Sequence, residues 1–180
     1  MKEERIVTIN DYISSNKQTE GFMAKYLVES IVSRMDPESR TFLNFVVYGI
    51  PEEEKQALIG GIRKLLSGND EYGVIVVPKG WGDDVELLDF NYPAPRGVIF
   101  IDDIAAAKPP IFNHFRYLLK EPESAGIPAG WVMVSFWEDK ALDLYDEGIA
   151  SAVSTCKYKD LVEDGETFAE YFAKVELNKE

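Results

Sequence analysis

Two adjacent carboxylates close the apolar run Gly97-Val98-Ile99-Phe100-Ile101-Asp102-Asp103. An uninterrupted run of this kind reads as a strand buried on both faces, as in a parallel sheet. Ligands of open α/β sheets sit just beyond the carboxyl ends of such strands, so Asp102 and Asp103 mark the first place to look for a site. Other chemically able residue types are sparse, because His114 is the only histidine and Cys156 the only cysteine. One histidine gives a His-based triad little support and a His-cluster metal site none, and His114 reads as a partly buried residue in mid-helix. Lys157 and Lys159 would favour a thiolate at Cys156. No second member of a catalytic set accompanies it, so a small buried or half-buried residue is the simpler reading.

The elements that must position the carboxylates follow from periodicity and breakers. Apolar residues Phe22, Met23, Tyr26, Leu27, Ile31 and Val32 fall near helical spacing and predict a helix over 19–34, after a short one near 10–14. Residues 42–48, rich in aromatic and β-branched types, predict a strand. A helix follows over 51–66, with Pro51 at its first position and Glu52, Glu53 and Glu54 in its first turn. Residues 73–78 read as a second buried strand and 80–89 as a polar surface loop. After the 97–103 strand, a helix over 110–120, a turn at 126–130 and a strand over 131–137 are expected. A helix over 139–153 weakened by Gly148, a short strand over 154–158 and a final helix over 165–175 complete the chain. This β-α-β alternation predicts a parallel sheet with right-handed crossovers.

At 180 residues and 46% apolar, the chain is long enough for one domain with a real core. The first residues hold no signal-like apolar run and no window reaches membrane-span length, so a cytoplasmic protein is expected. A single cysteine excludes an internal disulfide and a cysteine-rich zinc site. The net charge of −13, from 32 acidic and 19 basic residues, argues against a general phosphate-contact surface for nucleic acid. It fits a solvated acidic surface, and also one that imitates a polyanion or meets a basic partner.

In their order and spacing, the pieces between Phe42 and Val153 resemble the nucleotide-binding core of AAA+ ATPases, especially the MoxR-like branch. The most specific part runs from Gly97 to Ser135. Gly97 to Ile104 looks like the family's Walker B strand, followed by small residues Ala105 to Ala107, Pro109-Pro110 opening a helix, the Leu118-Leu119 pair, and a Gly130-Trp131-led strand. The resemblance implies an α/β three-layer sandwich with a mostly parallel P-loop NTPase-like sheet flanked by helices. One domain over 1–180 is expected, with N-terminal helices in 1–40 and, as a departure from the family, no helical lid. The resemblance casts Asp102 as the magnesium-side aspartate and puts Asp103 where the family has a water-activating glutamate, one methylene shorter in reach. It places a phosphate loop at Gly49-Ile50-Pro51-Glu52-Glu53-Glu54-Lys55-Gln56, where Gly49 and Lys55 match the nucleotide-binding pattern.

The departures decide the expected function. Glu54 stands for the second glycine and Gln56 for the hydroxyl that holds magnesium beside the phosphates. Three glutamates near an anion seat repel phosphate, by about 1 kcal/mol per pair even at high dielectric. An ordinary helix start with Lys55 as a plain surface lysine therefore suits the stretch better than a phosphate cradle. The sensor place holds Trp137, and Ile149 to Val153, where the resemblance puts an arginine finger, lacks arginine. The expectation is a catalytically inactive AAA+-like protein, without cofactor. It would act on another protein, either an active AAA+ ATPase or a nucleic-acid-binding protein, as adaptor or inhibitor. Trp81 and Trp137 are its candidate interface aromatics, and Trp131 a core residue. The alternatives are residual binding or hydrolysis of ATP with magnesium, and an acidic DNA mimic built on Glu52 to Glu54, Asp83-Asp84 and Asp143 to Glu147.

Overall fold

A computed structural model describes residues 24–35, 44–77, 90–102, 116–138, 153–162 and 166–177. In chain order these hold α1 (Ala24–Arg34), β1 (Asn44–Tyr48), α2 (Glu52–Leu66), β2 (Tyr72–Val77), β3 (Arg96–Ile101), β4 (Trp131–Trp137), β5 (Val153–Lys157), α3 (Tyr158–Val162) and α4 (Phe168–Leu177). A helical stretch over 116–120 follows β3. The expected helix near 10–14, the 80–89 loop, His114 and residues 139–152 of the expected 139–153 helix lie outside the described residues, and Val153 opens β5 instead of ending that helix.

The strands form a five-stranded sheet in the order β2-β3-β4-β1-β5, and every pairing is parallel. Parallel sheets are stable only when both faces are covered, and the inner strands β1, β3 and β4 are accordingly buried almost throughout, whereas the edge strand β2 is half-buried and not the buried strand expected at 73–78. Side chains alternate between two cores. Phe45, Val47, Val98, Phe100, Val132, Val134 and Phe136 face the apolar sides of α1, α2 and α4. Val46, Tyr48, Ile99, Ile101, Trp131, Met133 and Trp137 face Leu118, Leu119 and Ile127 on the other side. Asn44 ties that second layer to the start of β1, its Nδ2 donating to the Leu119 carbonyl at 2.9 Å.

The strand order sets which face each connection takes. From β1 the chain passes over β4 and β3 to reach β2, whereas from β3 it steps back towards β1 to form β4. Crossovers of one hand that run in opposite directions must lie on opposite faces. Accordingly α2, after β1, packs in the first core, and Leu118-Leu119, after β3, in the second. The direction reverses between β1 and β4, and the crevice at their carboxyl ends is the switch point at which such sheets bind ligands.

The lack of side chains at Gly73 and Gly97 is what makes room for the Trp131 ring. Gly73 and Gly97 are register partners. A Cβ on Gly97 would stand 2.1 Å from the Gly73 carbonyl oxygen and 2.7 Å from the Trp131 ring. That indole donates to the Ala94 carbonyl at 3.0 Å. The expected strand over 154–158 begins and ends one residue earlier, because Tyr158 turns into α3.

Gly97→Ala is expected to lower stability by at least about 2 kcal/mol, since backbone and ring would both have to move. Urea unfolding of the variant beside wild type measures it. A midpoint equal to wild type would contradict the packing.

Candidate functional site

The residues at the switch point come from the ends of β1, β3 and β4. β1 leaves the sheet at Gly49, whose φ of 63° is a left-handed turn that favours glycine. Its N–H donates to the Trp137 carbonyl at the end of β4, at 3.0 Å. Gly49, Ile50 and Pro51 are the only residues between β1 and α2. Pro51 is the N-cap, with an extended backbone that starts the helix and no side-chain cap bond. Lys55 thus lies one turn inside a helix. Its N–H and that of Glu54 both point back to the Pro51 carbonyl, at 2.9 and 3.1 Å, not outward as a phosphate cradle requires.

The Lys55 side chain runs across the end of β4 to the end of β3. Its Nζ donates to Asp102 Oδ1 at 2.7 Å and to Glu52 Oε2 at 3.1 Å. The Lys55 and Asp102 side chains are 10% and 12% exposed and Glu52 is 50% exposed, so the Asp102 bond is the sheltered one. The ammonium also lies 5.7 Å from the Phe136 ring centroid, within cation–π range. Gln56 Nε2 holds the other Glu52 oxygen at 3.2 Å. Lys55 is therefore not the plain surface lysine that its glutamate-rich context suggested. The alternation of β3 explains why: Val98 and Phe100 face α2, so Asp102, two residues on, is on the same side.

Glu54 does different work from that expected of a carboxylate near an anion seat. It is 6% exposed, turned away from the switch point and onto the N-terminus of α4. There it accepts the N–H groups of Phe168 and Ala169 at 2.7 and 3.1 Å. Thr167 caps the same helix, accepting the Glu170 N–H at 3.1 Å. The two side chains together satisfy three otherwise unpaired donors, and negative charge there complements the helix dipole. The Tyr158 hydroxyl donates to Glu54 at 2.8 Å. Burial first, then that bond and the charges of Glu54, Glu53 and Glu170, push the Tyr158 pKa above its ordinary value of 10.0.

Trp137 corrects the expectation of an interface aromatic. It is 2% exposed, its indole donating to Ser135 Oγ at 3.0 Å and its ring edge-on to Tyr48 at 6.4 Å. β4 lies inside the sheet, so even its last side chain is covered from both sides. Gly49, Lys55, Asp102 and Trp137 are brought together, while Asp103 and Trp81 lie outside the described residues. Among the described residues, no three His, Cys, Asp or Glu side chains are grouped to hold a metal ion, and no helix is long and apolar enough to cross a membrane. Sequence reasoning missed the roles of Glu54 and Tyr158 because the contacts of Glu54 to Tyr158 and to α4 span more than a hundred positions. One signal was legible: Thr167-Phe168-Ala169-Glu170 has the spacing of a capping box. No protein-family model matches the chain, and no curated protein matches it.

Lys55→Met is expected to destabilise the fold by about 3 kcal/mol at neutral pH, because it leaves the Asp102 charge sheltered without its ammonium. Adding Asp102→Asn should recover part of that loss. Denaturant unfolding of both variants tests this, and a double variant less stable than Lys55→Met would contradict the pairing.

Raising the pH gives a second expectation. Tyr158 holds its proton more tightly folded than unfolded. Its contribution to stability is therefore whole below pH 10 and is lost progressively above it. Urea midpoints at about pH 9 and about pH 11 should fall less in Tyr158→Phe than in wild type. Equal falls would refute the Tyr158–Glu54 link.

Proposed function

We propose that the chain is a catalytically inactive P-loop NTPase-like protein of AAA+ resemblance that acts by binding another protein. Lys55 and Asp102 support the ancestry part of this reading. The first lies on the helix after β1 and the second at the end of β3, and they meet at the switch point of a parallel sheet in the order β2-β3-β4-β1-β5. The observation that carries the inactive part is that several of the groups a nucleotide would need are already engaged. The Gly49 N–H is bonded to Trp137, the Glu54 and Lys55 N–H groups to Pro51, and the Lys55 ammonium to Asp102 and Glu52. A bound triphosphate would also face the carboxylate of Glu52 beside Lys55. Phosphoryl transfer depends on positive groups aimed at the transferring phosphoryl, and here the nearby cation is neutralised by the chain itself. A net charge of −13 makes a protein the more fitting partner than nucleic acid.

The purified protein is expected to release no phosphate from ATP or GTP above blank with magnesium present. Millimolar nucleotide with magnesium should leave its melting temperature unchanged. The positive arm is a stoichiometric complex with one host ATPase or nucleic-acid-processing enzyme whose rate changes when the chain is added. Turnover that disappears in Asp102→Asn would overturn the proposal.

A further inference from the structure

We infer that the Lys55 ammonium occupies the place of a divalent cation at Asp102, so that the chain fills its own metal position with a tethered charge. This rests on the reading just proposed and deepens it. The resemblance implies magnesium beside Asp102, and the residues present do not fit that ion while Lys55 stays where it is.

Geometry comes first. The ammonium is held by carboxylates from two different elements, Asp102 after β3 at 2.7 Å and Glu52 on α2 at 3.1 Å. Magnesium is commonly held by one or two protein carboxylates with water completing its shell. The two oxygens that would serve it are thus the two that hold Nζ. The seating is also fixed. Lys55 is 8% exposed, and its head lies over the Phe136 ring. Its stem leaves the first turns of α2, a 15-residue helix anchored in the core through Leu58, Ile59 and Ile62. A cation on such a mount does not dissociate into solvent. Finally, a divalent ion approaching Asp102 would meet the ammonium at a few ångströms, and like charges at that separation repel strongly in a sheltered setting.

Removing the tethered charge should therefore create a metal site. Melting curves of wild type, Lys55→Met and Lys55→Gln are recorded in magnesium or manganese chloride at about 10 mM, against sodium chloride of matched ionic strength. The glutamine variant keeps an amide that can reach Asp102, which protects folding should the methionine variant fail. Wild type is expected to show no divalent-specific shift. The variants should gain a rise of a few degrees, which adding Asp102→Asn abolishes. Variants that stay flat with both metals overturn the inference and leave the proposed function standing, as does a wild type stabilised by metal alone. A wild type stabilised only by magnesium and nucleotide together overturns both.

Discussion

The contact between Lys55 and Asp102 joins the two halves of the molecule that sequence alone keeps apart. One end belongs to the helix that follows β1, the other to the end of β3, and β4 runs between them. A sheltered ion pair contributes little net stability when complete, because desolvation offsets most of the attraction. Its influence lies in what happens when one partner is missing. The remaining charge is then held in a place where water can solvate it poorly, which fixes the register of α2 over the sheet. A shift of α2 by one residue would rotate Lys55 by about 100° and break the bond. Glu54 and Glu52 would turn away from their partners in the same movement.

α2 consequently serves as the hub between the sheet and the last helix. Adjacent residues in its first two turns point in different directions, with Glu52 and Lys55 to the switch point and Glu54 to α4. Helical spacing dictates this, since neighbours along the chain are separated around the axis while residues three apart share a face. Further along, a Cβ on Gly61 would lie 2.3 Å from the Phe172 ring, so the absence of a side chain there lets α4 lie close. Glu54 fastens the start of α4 and the Gly61 notch receives its middle. The stretch in which the resemblance seeks a phosphate loop is, in this chain, a helix start in which Glu52, Glu54 and Lys55 are held by other groups of the protein.

The sheet tolerates this because its own stability comes from burial on both faces. Phe100 and Phe136 stack at 5.9 Å in the first core, and Tyr92 meets the edge of Trp131 at 5.0 Å in the second. Both layers are filled by side chains of the chain itself, so the charges at the strand ends can take other partners without disturbing them.

The sequence by itself determined the elements. The runs at 44–48, 96–101 and 131–137 are strands because β-branched and aromatic character of this density is buried between two layers. The run at 73–78, expected to be a buried strand, is instead the edge strand β2 over 72–77, half-buried with Val76 37% exposed, because only β3 flanks it. Pro51 and the three glutamates placed the start of α2 to within one residue, since a proline cap and first-turn acids act locally. Asp102 at the end of a central strand was legible for the same reason. Only the tertiary structure decided the order of the strands and what the charges do. Lys55 lies 47 positions from Asp102 and Glu54 lies 114 from Phe168. No local pattern encodes contacts at such separations. Trp137 shows the same limit from the other side. Its sequence neighbours are polar on one side, but whether a strand's last residue is covered depends on which strands flank it, and β4 is flanked on both sides.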